Sequence, residues 1–110
     1  MMIDWDRINE LRNEIGAEDF AEVVEMFLEE ADEVAVTIAA GIEPDAVEAA
    51  LHFLKGSALN LGFQELAQLC QTGEKAAAKG DAATIDLGKV ISVYEESKTS
   101  FTQGKETYAA

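Results

Sequence analysis

Apolar residues recur along most of this chain in alternating steps of three and four, the spacing of the buried face of an amphipathic α-helix. The longest such stretch predicts a helix from about Glu18 to Ala40, which Gly41 is expected to end. Alternation of apolar and polar residues, the pattern of a β-strand, does not stand out anywhere. The chain is therefore predicted to be all-helical. The apolar positions of the long helix are Phe20, Val24, Phe27, Ala31, Val34 and Ile38.

Glycine, proline and aspartate indicate where the other helices begin and end. Asp4 or Asp6 is expected to cap a short first helix that Gly16 ends. Pro44 suits the first turn of a third helix, because its missing N–H has no helical partner there. Gly80 is expected to end a fourth helix and Asp81 to cap a fifth. The predicted ranges are about 4–15, 44–62, 63–79 and 82–101, followed by a polar tail over 102–110.

Four long amphipathic helices with short connections predict an antiparallel up-and-down four-helix bundle, with the short first helix covering one end. A chain of 110 residues is long enough for one core and too short for a second. We therefore expect a single domain over 1–110, with its core in about 3–101. Apolar residues make up 48% of the chain and there is one proline, so disorder is not expected.

The charge of the chain limits its partners. With 22 acidic and 8 basic residues the formal net charge is -14, which would repel nucleic acids and anionic membrane surfaces. The sequence has no signal-peptide pattern and no apolar run as long as a membrane span. We therefore expect a cytoplasmic protein that binds neither nucleic acid nor membrane, and nothing in the sequence demands more than a monomer.

His52 is the only histidine, and it lies on the third predicted helix away from the apolar stripe. At about 100° per residue it is roughly 140° from the centre of that stripe, so the imidazole is expected to face outward. Lys55 follows one turn later on the same side. Gly56 costs the helix about 1 kcal/mol relative to alanine and leaves space beside His52. The stripe itself consists of Val47, Leu51, Leu54, Ala58 and Leu61.

Other chemistry fits the sequence less well. Ser57 and Cys70 lie at helix angles far from His52, which argues against a hydrolase, and Cys70 is expected in the core. No Gly-rich phosphate-binding motif is present, so ATP binding is not indicated. Glu48 and His52 would make only a weak, two-ligand metal site on one exposed helix, and no metal is predicted. The interpretation that remains is that His52, as an exposed neutral imidazole, acts as a nucleophile within the active site of a partner.

The run from His52 to Gly62 resembles the signature of histidine-containing phosphotransfer (HPt) domains of multistep phosphorelays. That signature is His-x-x-Lys-Gly followed by small residues and a second glycine, and the resemblance covers about Ile3 to Phe101. It implies that His52 accepts a phosphoryl group from a receiver-domain aspartyl-phosphate and passes it to another receiver aspartate. Lys55 would stabilise the phosphoryl group, and Gly56 would admit the receiver's loops.

The resemblance also implies an orienting residue and a docking surface. Family members carry a polar residue, often glutamine, that hydrogen-bonds the ring nitrogen that is not phosphorylated. Counting along the chain, that position is Glu74, a carboxylate in place of an amide. Receivers dock through apolar contacts around the histidine, for which Leu59 and Phe63 are candidates, with Glu48 at the edge. Phe63 equally fits a helix-turn residue packed inside.

The implied partners are response-regulator receiver domains and a hybrid or sensor histidine kinase. Mg²⁺ would belong to the receiver, so this chain is expected to need no cofactor. It would be a phosphorelay intermediate and not an enzyme, since it has no kinase motif. Two alternatives stay open: a helical adaptor or inhibitor that binds a kinase or receiver without being phosphorylated, and an excised phosphoacceptor domain of a chemotaxis-type kinase.

Overall fold

The computed structural model describes residues 2–108, with side chains up to residue 104. Within this part of the chain there are five α-helices and no β-strand, so the all-helical prediction is confirmed. Two short 3₁₀ helices, Pro44–Ala46 and Ala82–Thr84, precede the third and fifth α-helices. The α-helices are α1 (Trp5–Ile15), α2 (Ala17–Ala40), α3 (Val47–Leu61), α4 (Gln64–Ala78) and α5 (Leu87–Tyr108).

The first four helices begin and end close to the predicted residues. The Asp4 side chain accepts a hydrogen bond from the backbone N–H of Arg7 at 3.2 Å, so Asp4 rather than Asp6 caps α1. Gly62 ends α3 with a left-handed backbone at φ 70°. A Cβ at Gly62 would lie 2.6 Å from the backbone oxygen of Asp4, so glycine is also required for the close approach of α1.

The fifth helix differs from its prediction at both ends. Asp81 precedes a 3₁₀ turn, and α5 begins six residues later at Leu87. There the Asp86 carboxylate accepts from the backbone N–H of Lys89 at 3.0 Å and supplies the cap. The helix continues to Tyr108 although a polar tail was predicted from residue 102, while Ala109 and Ala110 lie outside the described residues.

Packing against Trp5 accounts for part of this extension. The Trp5 ring stacks on Phe101 with ring centroids 6.0 Å apart. Gly104, one turn beyond Phe101, faces the same indole, and a Cβ at that position would collide with it. A long-range contact thus stabilises helix where the local sequence is polar.

The helices enclose one core. Helix α3 packs against α2 and α4, α5 packs against the same two helices, and α1 lies against α2 and α3. Among the described residues, no helix combines the length and apolar character that a bilayer-crossing segment needs. The packing leaves one face of α3 beside α4 at the surface, and this face bears His52.

Candidate functional site

His52 lies in the middle of α3, and 70% of its side chain is exposed. The buried residues of α3 include Leu51 and Leu54 on either side of it in sequence, so the helix turns the imidazole away from the core. The outward orientation predicted from the helical pattern is confirmed.

Helix α4 brings Glu74 against the imidazole. The Nδ1 atom of His52 is 3.0 Å from Oε2 of Glu74 and 3.3 Å from Oε1. Because an ionised carboxylate can only accept, Nδ1 is assigned the hydrogen and donates it to Glu74. In the neutral ring, Nε2 then holds the lone pair, and none of the side chains described, up to residue 104, forms a hydrogen bond with it.

Lys55 shares the same carboxylate. Its Nζ is 2.8 Å from Oε1 of Glu74, and both side chains are partly buried. The hydrogen bond from Lys55, followed by that from His52, lowers the pKa of Glu74 below its ordinary value. Glu74 is therefore ionised at neutral pH and cross-links α3 to α4. We call His52, Lys55 and Glu74 the α3–α4 cluster.

Gly56 leaves open space one turn after His52, because no heavy atom beyond its chain neighbours and the backbone of its own helix lies within 4 Å of the position that its Cβ would take. The carbonyl oxygen of Gly56 accepts a hydrogen bond from the Asn60 side-chain amide at 3.0 Å. The Asn60 oxygen in turn accepts from the Arg7 guanidinium at 3.3 Å. Helix α1 is thus tied to the site helix by a link that sequence reasoning missed. The four-residue spacing of Gly56 and Asn60 could have predicted the hydrogen bond between them, but not the one from Arg7.

The sequence model of the Hpt domain family matches residues 22–99 of this chain, a range that includes α3, α4 and the whole α3–α4 cluster. The chain belongs to the Hpt domain family. Hpt domains are phosphotransfer intermediates of phosphorelays rather than kinases, and they interact with receiver domains and histidine kinases. No curated protein and no solved structure matches the chain. Helix α1, which supplies Arg7, lies outside the matched residues of this Hpt domain.

The surface around His52 differs in two places from the predicted docking surface of this Hpt domain. Leu59 is 56% exposed and Glu48 is also exposed, so both are accessible. Phe63 is buried, with its ring 6.0 Å from that of Phe101, because the left-handed turn at Gly62 directs it into the core. The docking interpretation of Phe63 is therefore wrong. Phe53 was overlooked, although it follows His52 and is 45% exposed.

Cys70 and Ser57, the two other nucleophiles that the sequence analysis considered, are buried in this Hpt domain. Cys70 is buried, and burial, followed by the nearby charge of Glu74, raises the pKa of its thiol to about 12. Its prediction as a core residue is confirmed. Ser57 is buried as well, on the opposite side of α3 from solvent. Among the side chains described, up to residue 104, no three histidine, cysteine or acidic side chains are grouped as metal ligands.

Proposed function

We propose that this Hpt domain accepts a phosphoryl group on Nε2 of His52 from the aspartyl-phosphate of one receiver and passes it to the aspartate of another. The observation that supports this most directly is the hydrogen bond between His52 Nδ1 and Glu74. It assigns the hydrogen to Nδ1 and the lone pair to Nε2 on an exposed ring. A nucleophile in that state needs no further base.

In the proposed step, the Nε2 lone pair forms a bond to phosphorus while the bond between phosphorus and the aspartyl oxygen breaks. The receiver's carboxylate leaves with the electron pair, and the imidazole gains positive charge. The Nδ1 hydrogen stays on the ring, and the ionised Glu74 stabilises the positive charge by accepting a hydrogen bond from Nδ1. Transfer to the next receiver reverses these changes, so atoms and charge balance over the relay.

Lys55 has two roles in this proposal. In the structure its ammonium is bonded to Glu74, where it helps to keep the carboxylate ionised. Once a phosphoryl group is on His52, the same ammonium, one turn away, turns toward the phosphoryl oxygens and stabilises them. Mg²⁺ is assigned to the receiver, and we propose no cofactor for this chain.

We infer that the receiver contacts the surface formed by Gly56, Leu59 and Phe53, with Glu48 at its edge. The open space at Gly56 and the exposure of the two apolar side chains support this. We also infer that α2 to α5 form an antiparallel up-and-down bundle, supported by their short connections and mutual packing. The cytoplasmic location and the monomeric state stay predictions.

A transfer assay tests the proposal. A set of purified receivers is labelled with radioactive acetyl phosphate in Mg²⁺, freed of the donor and mixed with this protein. We expect label on this protein that is stable in alkali and labile in acid, as for a phosphohistidine, and none on His52→Gln. Ser57→Ala is the matched control on the same helix and should be labelled like the wild type. Label retained by His52→Gln would contradict the assignment of the acceptor.

The same assay separates the alternatives. An adaptor would bind a receiver, measured by titration, without becoming labelled by any of them. A phosphoacceptor domain of a chemotaxis-type kinase would be labelled by ATP and a kinase catalytic domain but not by a phosphorylated receiver. The lysine-paired carboxylate on Nδ1 favours a phosphorylated histidine over the adaptor, because binding alone does not require a fixed ring tautomer.

A further inference from the structure

Gly73 lies where α4 packs closely against Leu51 of α3. A Cβ at this position would lie 2.7 Å from Cδ1 of Leu51 and 3.4 Å from Cγ2 of Ile85. Both Gly73 and Leu51 are buried, so the leucine has little room to move aside. Gly73 therefore allows the Leu51 side chain to pack directly against the backbone of α4.

This contact is adjacent in sequence to the hydrogen bond of the site on both helices. Leu51 precedes His52 on α3, and Gly73 precedes Glu74 on α4. The separation of the two backbones at the first pair thus determines the separation available to the second. Glycine is a poor helix former, so local preference gives no reason for it in the middle of α4.

We propose that Gly73 is a positioning residue, which sets the distance at which the Glu74 carboxylate meets Nδ1 of His52. The proposal rests on the proposed function for its effect on transfer, but its geometric part is independent of any phosphoryl group. Nδ1 and Oε2 are 3.0 Å apart. A retreat of α4 by about 0.6 Å would end the hydrogen bond. The ring would then populate both neutral tautomers, including the one with its lone pair on the wrong nitrogen.

The first measurement is the ¹⁵N NMR spectrum of the His52 imidazole, which distinguishes the two neutral tautomers without any receiver present. The wild type should show the hydrogen on Nδ1, and Gly73→Ala should show a mixture. Gly88→Ala is the matched control, because its Cβ would meet only the Asp86 side chain, at 3.4 Å. Leu51→Val combined with Gly73→Ala should restore the wild-type spectrum, since valine lacks the δ carbon that the new methyl meets.

The second measurement is the rate of transfer from a phosphorylated receiver. Gly73→Ala should slow it by about tenfold, as expected for a misplacement of less than 1 Å. Gly73→Ala combined with Glu74→Ala should be no slower than Glu74→Ala alone, because both changes remove the same hydrogen bond. If Gly73 had a merely structural role, Gly73→Ala would lower the transfer rate further even in the absence of Glu74.

The proposal is overturned if folded Gly73→Ala retains the wild-type tautomer, whatever its rate. It is equally overturned if Gly88→Ala shifts the tautomer as much, or if the two losses of rate add. Should Gly73→Ala not fold, the double variant Leu51→Val, Gly73→Ala decides alone. A wild-type tautomer in it supports the proposal and a mixture overturns it. If the wild type fails to accept a phosphoryl group, the proposed function is contradicted. The NMR spectra would then still test whether Gly73 positions Glu74 against His52.

Discussion

Two polar clusters cross-link neighbouring helices of this protein through the same kinds of group. The α3–α4 cluster joins a carboxylate to a lysine and an imidazole. The α2–α5 cluster, made of Asp32, Tyr94 and Lys98, joins a carboxylate to a lysine and a phenol. Lys98 Nζ is 2.9 Å from the Asp32 carboxylate, to which the Tyr94 hydroxyl also donates.

The electrostatics of the two clusters are similar. Burial alone would raise the pKa of Asp32, but hydrogen bonds from Lys98 and Tyr94 outweigh it and the pKa is lowered. The pKa of Glu74 is likewise lowered, by the hydrogen bond from Lys55 and then by that from His52. What differs is the ring, because Tyr94 is fully buried and its pKa is raised by burial and then by Asp32. The exposed His52 retains a free ring nitrogen. In the proposed function, accessibility and not the cluster itself therefore distinguishes the acceptor ring from the buried phenol.

Removing the two carboxylates should separate the clusters most strongly. Glu74→Ala frees Nδ1 of His52 and should slow phosphoryl transfer by about a hundredfold. Asp32→Ala, the matched change in the α2–α5 cluster, should leave the rate unchanged. The measurement is the initial rate of label transfer from one phosphorylated receiver. Equal rates for the two variants would show that the carboxylate on the histidine has no special role.

Replacing the two lysines should also slow phosphoryl transfer only in the α3–α4 cluster, and by less than replacing the carboxylates. Lys55→Ala should slow transfer by about tenfold. That is below the ~10²–10³ lost with a donor in a water-excluded site, because Lys55 is partly solvated. Lys98→Ala is the control and should transfer normally. Circular dichroism should show both variants folded, and a wild-type rate for Lys55→Ala would remove this lysine from the mechanism.

The phenol should matter for stability alone. Tyr94→Phe removes a partly buried hydrogen bond to a charged group and should lower the free energy of unfolding by about 2 kcal/mol. Urea denaturation measures the loss, and the transfer rate provides the contrast with His52→Gln. A slowed rate in folded Tyr94→Phe would mean that the two clusters are coupled.

The smallest expected effect is on the pH dependence of stability. The pKa values of both carboxylates are lower in the folded protein than their ordinary values, which are 3.8 for Asp32 and 4.5 for Glu74. Each ionised carboxylate therefore stabilises the fold at a pH above its ordinary pKa. That contribution is lost as the pH falls below those values toward the folded ones. Asp32→Asn and Glu74→Gln should each lose less stability than the wild type between pH 6 and pH 3 in urea denaturation. A variant with an unchanged loss would show that its carboxylate does not contribute.

Much of this architecture follows from local sequence signals. The three-four spacing and the flanking Asp4, Gly41 and Gly62 locate the ends of α1, α2 and α3. The predicted start of α5 is wrong because aspartate is a good cap at both Asp81 and Asp86, and in the structure only the Asp86 side chain makes a capping hydrogen bond.

The site was predictable where spacing along one helix defines it. His52, Lys55 and Gly56 follow from steps of three and four, and Glu74 from counting within a resembling family. The Arg7–Asn60 bond joins residues far apart in sequence and has no local signal. Phe63 was ambiguous because its direction depends on the single left-handed turn at Gly62.

The link from Arg7 through Asn60 to Gly56 has a practical consequence for anyone who trims this domain. A fragment cut at the limits of the family match, 22–99, would keep every atom of the α3–α4 cluster and discard α1. Its α3 would lose both the guanidinium on Asn60 and the backbone bond between Asp4 and Gly62. Activity measured on such a fragment would describe a protein in which the C-terminal end of α3 lacks these two bonds to the residues of α1 and its cap.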